Sequence, residues 1–217
     1  MTLQVGMVSN SGIVIVGDTW QYVEPSRDQK IWTGYHASKI RVSTSGRIAV
    51  ACARTMDVAM RIADEIFAQC DGQTEGTSRH TKVEEIGTRL AKGLDAECLI
   101  VFSEPQPVIY SFVHSRNNEY RCMEIYSAFA TGDVGNPAYY WVMRYYKAGL
   151  TIAQLALLGA LVNVSAEKLN SGSIGGLEVL TCDSDGIRVW SREESESLRA
   201  EGQRLTDQIE GLIFGTP

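Results

Sequence analysis

Short apolar runs near the N-terminus give way to helical stripes, and the period switches several times along the chain. Residues 2–8 and 13–19 read as two strands around the turn Ser9-Asn10-Ser11-Gly12, and residues 48–53 as a third. Met60, Ala63, Ile66 and Phe67 share one stripe and predict a helix over 57–69. A Gly-, Thr- and Ser-rich loop over 71–78 follows, and Thr81 with Glu84 reads as a capping box that opens a helix toward Leu94. Strands are expected over 98–103, 108–114 and 120–126, with a short one ending near Thr131 and a turn at Arg116-Asn117-Asn118.

The last third is helical at both ends. Asn136-Pro137 suits a helix start, because asparagine accepts from the first N–H groups and proline has no donor to leave unpaired; that helix is expected to end near Gly149. Thr151 with Gln154 makes a second capping box, and Leu155, Leu157, Leu158, Ala160, Leu161 and Val164 make its helix apolar enough to be largely buried. Strands over 177–182 and 187–190 flank the hairpin turn Asp183-Ser184-Asp185-Gly186. Ser191 with Glu194 caps a final amphipathic helix carrying Leu198, Leu205, Ile209 and Leu212. Periodicity alone therefore yields an α/β chain with mixed sheets.

Composition narrows the function classes. A chain of 217 residues can bury a substantial core, and its unbroken patterning predicts one domain over 1–217. Its five cysteines, Cys52, Cys70, Cys98, Cys122 and Cys182, form no C-x-x-C pair, which favours reduced, buried thiols over a disulfide framework or zinc knuckle. His36, His80 and His114 lack metal-ligand spacing, so neither metal nor cofactor is expected. A net charge of −6 without a basic stripe argues against nucleic acid as partner. The start does not resemble a signal peptide, and the longest apolar stretch, 155–164, is too short for a bilayer. No membrane association is expected, and a cytoplasmic location is.

The candidate chemistry lies near the start, in Thr2, Asp18 and Lys39. A threonine hydroxyl needs a base, and at a free N-terminus its own α-amine can serve. That amine, with a reference pKa of roughly 8, is about a tenth neutral at pH 7, whereas a lysine near 10.4 is almost wholly charged. Lys39 then suits a fixed cation that lowers its neighbours' pKa values and relays protons, with Asp18 holding it. In another setting the same three residues would be a small residue, a turn aspartate and a solvated lysine.

The surrounding sequence resembles the proteasome-type β-subunits of the N-terminal nucleophile hydrolases. The likeness runs through the strand from Thr2, the second strand ending in Asp18, the triplet Ser38-Lys39-Ile40, and Ile48 to Ala53 leading into a helix near Thr55-Met56-Asp57. It continues in Ala130-Thr131-Gly132-Asp133-Val134-Gly135-Asn136-Pro137-Ala138, which is similar to the bacterial HslV peptidase, and in Asn170-Ser171-Gly172-Ser173-Ile174-Gly175-Gly176. The resemblance implies a four-layer αββα sandwich of two stacked, mostly antiparallel sheets. It further implies a threonine peptidase in which Thr2, after loss of Met1, attacks peptide bonds. Asp18 and Lys39 tune the proton transfer, the Arg54 backbone N–H stabilises the oxyanion, Ser173 and Asp133 stand near the nucleophile, and Cys52 and Met56 line the substrate pocket. Implied partners are identical subunits in stacked rings or a helical assembly, peptide substrates, and an ATP-dependent unfoldase. The aromatic group Tyr139, Tyr140, Trp141, Tyr145 and Tyr146 exceeds one core-facing stripe and suits subunit contacts.

Three departures set this chain apart from the family pattern and align it with divergent bacterial relatives such as the Anbu group. Arg54 replaces a usual glycine, Asp133 replaces a small hydroxyl residue, and either Asn170 or Ser171 stands where an acidic residue normally supports the amine. The loop between Asp18 and Lys39, with Trp20, Tyr22, Trp32 and Tyr35, is also longer. Two alternatives therefore stay open: a catalytically silent structural or assembly subunit, favoured if Met1 stays attached and turns the Thr2 amine into an amide, and an amidohydrolase acting on a small amide.

Overall fold

The computed structural model describes residues 2–23, 33–72, 76–114, 119–170 and 173–215. Its strands are β1 (Leu3–Ser9), β2 (Gly12–Gly17), β3 (Trp20–Val23), β4 (Thr33–His36), β5 (Ile40–Val42), β6 (Ile48–Arg54), β7 (Ala96–Phe102), β8 (Val108–His114), β9 (Tyr120–Glu124), β10 (Ala128–Gly132), β11 (Glu178–Asp183) and β12 (Gly186–Val189). The helices are α1 (Met56–Cys70), α2 (Gly76–Ala91), α3 (Tyr140–Tyr145), α4 (Ile152–Leu169) and α5 (Arg192–Phe214). One five-stranded sheet has the order β10-β1-β2-β11-β12, the second runs β5-β6-β7-β8-β9, and among the described residues β3 and β4 form a two-stranded sheet. All these pairings are antiparallel.

Strand alternation builds the layers, because successive side chains point to opposite faces and here both faces are covered. On β6, Ile48, Val50 and Cys52 share one apolar core with Val58, Ile62 and Ile66 of α1 and with Val83 and Ile86 of α2. Between them Ala49 and Ala51 face the first sheet, meeting Ile13, Ile15 and Leu180 together with Leu99 and Val101 of their own sheet. On β2, Val14 and Val16 turn the other way, onto Leu155, Ala156 and Ala160 of α4. The order is therefore helices, sheet, sheet, helices, with an apolar core between each pair of layers. This is the αββα sandwich.

The expected helix starts at 151 and 191 are present as reciprocal capping boxes. Asn136 accepts from the Ala138 N–H at 3.0 Å and opens a 3-10 turn, Pro137–Tyr139, that leads into α3. That helix stops at Tyr145, short of the expected Gly149, and the Tyr146 N–H closes it on the Val142 carbonyl. The helix expected from Thr81 instead begins at Gly76. Its Glu84 side chain does not fold back as a cap but accepts the Cys122 N–H of β9 at 3.2 Å, so a tertiary contact takes the group that the local pattern assigned to the helix start. Where a loop was expected after Asp18, β3 and β4 form a hairpin in which Trp20 stands opposite His36, their rings edge-on at 4.8 Å. Trp32, the turn at 116–118 and Ser171-Gly172 lie outside the described residues. By length and composition α4 could cross a membrane, and 56% of it is buried within the sandwich.

Candidate active site

The tight turn between β1 and β2 brings the start of the chain beside the end of β2, with Gln4 opposite Gly17 and Asp18 one residue beyond. Asp18 uses that position fully. Its Oδ1 accepts the Leu3 N–H at 2.9 Å, and its Oδ2 accepts the Trp20 N–H at 3.1 Å and Lys39 Nζ at 2.8 Å. Lys39 enters from the opposite sheet, just before β5, and its Nζ also donates to Thr2 Oγ1 at 3.0 Å. Thr2, Asp18 and Lys39, chosen from sequence, thus form one hydrogen-bonded chain, 8%, 0% and 1% exposed respectively.

Burial acts on both charges of this pair. It lowers the Lys39 pKa, against the pull of Asp18, and raises that of Asp18, against Lys39 and the two backbone N–H groups. An ammonium held short of its usual proton affinity, 3.0 Å from a hydroxyl, can stabilise an alkoxide there and exchange protons with it.

The backbone of Thr2 is fixed from β10. Its carbonyl accepts the Asp133 N–H at 2.6 Å. Gly132 adopts φ +83°, and a Cβ on it would lie 2.0 Å from that same carbonyl oxygen, so this position needs glycine. The Asp133 carboxylate accepts from Asn136 Nδ2 at 3.2 Å and so is engaged with the cap of the following helical turn. Asp133 therefore stands beside Thr2 through its main chain.

Arg54 ends β6 at φ 68°, which gives a backbone reason why glycine suits this position. Its guanidinium turns to Glu97 and Asp95, with Nε at 3.5 and 3.8 Å. On β6 the Cys52 N–H donates to the Lys39 carbonyl and the Thr55 N–H to that of Asp95. Strand alternation then directs the Arg54 N–H to the Lys39 edge. Cys52, expected in the substrate pocket, has its side chain at 0% exposure under α1, beside Cys98. Strand parity sends it to the helix face, away from Thr2, and Met56 packs half-buried on the same core. The Ser173 N–H donates to the Asn170 carbonyl at 2.9 Å, and the Gly175 carbonyl two residues on accepts the Thr19 N–H at 3.0 Å. This turn accordingly sits against the residue after Asp18.

Glu178 was not singled out from sequence. Its carboxylate accepts the Lys39 N–H at 2.9 Å, the Ile40 N–H at 3.2 Å and the Ser38 hydroxyl, anchoring the whole triplet. Burial raises its pKa, against these donors. A carboxylate at the head of a strand whose next two residues are Val179 and Leu180 was the available clue. Among the described residues no cluster of three or more His, Cys, Asp or Glu is placed to hold a metal.

No protein-family model matches the chain, and no curated protein does. Solved structures do. An Anbu (Gly-1) mutant from Hyphomicrobium sp. strain MC1 superposes with a TM-score of 0.74 at 12% identity, over 100% of this chain and 98% of that one. Anbu (ancestral beta-subunit) from Yersinia bercovieri gives 0.70 at 14%, over 99% and 98%. The helical assembly of the Anbu complex from Pseudomonas aeruginosa gives 0.73 at 12%, over 99% and 97%. At these identities the likeness is one of fold, and the fold of this chain is the proteasome-like fold of the Anbu subunits.

Proposed function

We propose that the protein is a threonine peptidase of the N-terminal nucleophile type that works as a subunit of a homo-oligomer. One observation carries the reading: a buried lysine ammonium shared between Asp18, at 2.8 Å, and the hydroxyl of Thr2, at 3.0 Å. Once Met1 is removed, Thr2 Oγ1 attacks the scissile carbonyl while the Thr2 amine takes the hydroxyl proton, directly or through water. Lys39 stabilises the alkoxide as it forms, and the Arg54 N–H, on the same edge, donates to the oxyanion. Collapse of the tetrahedral intermediate breaks the amide C–N bond, passes the proton to the leaving amine and leaves an ester on Thr2, which water hydrolyses.

Assembly from identical subunits is supported by the likeness to the Anbu complex from Pseudomonas aeruginosa, which is a helical assembly. On this chain Tyr139, Trp141 and Tyr146 pack against the core, whereas Tyr140 and Tyr145 stay 64% and 51% exposed and are available to a neighbouring copy. An ATP-dependent unfoldase as feeder, and a cytoplasmic site of action, belong to the same proposal.

The test starts with the intact mass of untagged protein, to establish that Met1 is lost. Wild type, Thr2→Ala, Thr2→Ser and Lys39→Ala are then compared on fluorogenic peptides and on simple acyl amides. Hydrolysis of peptides by wild type and by Thr2→Ser, but not by the other two, is the expected result; hydrolysis that survives both alanine changes refutes the mechanism. Arg54 at positive φ favours a second reading, a silent assembly subunit, because a bulky residue at the oxyanion turn needs side-chain contacts to hold it. Met1-free protein that assembles but cleaves neither substrate class would establish that reading.

A further inference from the structure

Both walls of the candidate site are tied to one carboxylate. Glu97 lies on β7, opposite Ala53, at 7% exposure in a strand that is otherwise apolar. Its Oε2 accepts the Gly132 N–H at 2.6 Å, and its Oε1 lies 3.5 Å from Arg54 Nε. Gly132 belongs to the other sheet, opposite Leu3, and the next residue, Asp133, holds the Thr2 carbonyl. Glu97 thus reaches from the strand beside Arg54 across to the strand beside Thr2.

Simple packing does not account for such a residue. A carboxylate this buried is costly unless its partners need it. Here one partner is a backbone N–H that β1 does not satisfy. The other is the side chain of a non-glycine residue in the left-handed region, a conformation that persists only where surrounding contacts impose it. Asp95 also faces the Arg54 guanidinium, at 3.8 Å, but is far more exposed than Glu97.

We infer that Glu97 is a positioning residue for the oxyanion site: it holds Arg54 in its left-handed turn and fixes the spacing between the Arg54 N–H and Thr2. This rests on the peptidase reading for its catalytic consequence, and on geometry alone for the clamp. Burial, with Asp95 adding to it, raises the Glu97 pKa against the Gly132 N–H and Arg54, so acid weakens the clamp by protonating it.

Glu97→Gln tests the clamp with little change of shape, since the amide oxygen still accepts from Gly132 while the charge facing Arg54 is lost. Misplacement of a reacting group by about 1 Å can cost ~10²-fold, so a fall in kcat on the order of 10-fold with a near-constant KM is expected. In an Arg54→Gly background the same change is expected to cost much less, because glycine holds the turn without a side-chain partner. An unchanged kcat in Glu97→Gln, or an equal fall in both backgrounds, overturns the inference. Crystal structures of wild type and Glu97→Gln read the clamp without catalysis. Loss of the positive φ at Arg54, or a wider separation of its N–H from Thr2, supports the clamp, and an unaltered turn overturns it. If Met1-free wild type cleaves no peptide, the peptidase reading fails and these structures still decide the role of Glu97.

Discussion

Replacing Lys39 by methionine keeps most of the side chain's length and removes its charge, which separates the ion pair's structural contribution from its chemical one. Nζ lies 2.8 Å from Asp18 Oδ2, with 1% and 0% of the two side chains exposed. At an effective dielectric of about 20 the gross attraction at that separation is about 6 kcal/mol, most of it offset by the cost of burying both charges. Removing one partner leaves that cost uncompensated, so Lys39→Met is expected to lose about 3–5 kcal/mol. In Lys39→Met/Asp18→Asn the buried charge is gone as well. The asparagine oxygen still accepts from Leu3, but its amide nitrogen meets the Trp20 N–H donor to donor, which costs about 1–3 kcal/mol. The double variant should therefore be more stable than the single one, by about 1–2 kcal/mol, in urea denaturation followed by tryptophan fluorescence. Peptide hydrolysis should be lost in both, by at least ~10²-fold. A double variant no more stable than Lys39→Met would refute the buried-charge argument, and one that regained hydrolysis would refute the role of Lys39.

Gly132→Ala should displace Thr2, since the new Cβ meets its carbonyl oxygen and φ is +83°; the left-handed conformation alone costs about 1–2 kcal/mol, and a fall in melting temperature together with lost hydrolysis is the expected reading. Glu178→Gln leaves one acceptor for three donors and should cost about 1–3 kcal/mol at neutral pH. Because the native pKa of Glu178 is raised, the folded state holds that proton more tightly than the unfolded one. The titration's contribution is then complete below the ordinary glutamate value of about 4.3 and declines as pH rises through the native value, so urea midpoints of wild type minus variant should fall across that window. Asn163 on α4 is 2% exposed, and its amide finds no partner among the described residues. Asn163→Leu should raise stability by about 1–2 kcal/mol, and a loss in calorimetry would show that the amide is needed.

Much of the fold was legible because most elements follow local rules. The capping boxes at Thr151 and Ser191 place two helices and the apolar runs mark most strands, whereas the stacking of two antiparallel sheets was implied by the family resemblance and not by periodicity. The same motif at Thr81 failed because Glu84 has a better acceptor role on β9, which no local pattern encodes. The β3–β4 hairpin was missed although Trp20, Gln21 and Tyr22 carry strand character; its pairing partners begin ten residues beyond Val23, too far for a short-turn rule. Thr2, Asp18 and Lys39 were found because their spacing matched a resemblance. Cys52 was misplaced as a pocket residue for want of strand parity, which sends its side chain beneath α1 and leaves its main chain, the N–H on Lys39 and the carbonyl on Gln4, toward the site. Glu97 and Glu178 act through contacts 35 and 138 or more residues apart, and nothing short of the folded sheets brings those groups together.

The position of the site follows from how the two sheets are joined. Over most of their interface the sheets meet through Ile13, Ile15, Ala49, Ala51, Leu99, Val101 and Leu180, and such packing tolerates small shifts because it has no direction. At the end where β1 begins, the joins are polar. Gln4 donates to the Cys52 carbonyl at 2.8 Å while accepting from Thr131 at 3.2 Å, Lys39 reaches Asp18 and Thr2, Glu97 takes the Gly132 N–H, and Glu178 takes the Lys39 N–H. Apart from the Gln4–Thr131 bond, which braces Gln4 within its own sheet, each link has one end in each sheet, and each is short enough to fix distance as well as register. A fold that needed only cohesion would fill this end with aliphatic side chains, as it does the rest, and avoid the desolvation of three acids and a lysine. On the proposed peptidase reading, however, a nucleophile on one sheet and its cation on the other must be held to a few tenths of an ångström, and directional bonds across the seam achieve what apolar packing cannot. On that reading, the concentration of buried polar bridges at the Thr2 end is the feature of this structure that chemistry explains and stability does not.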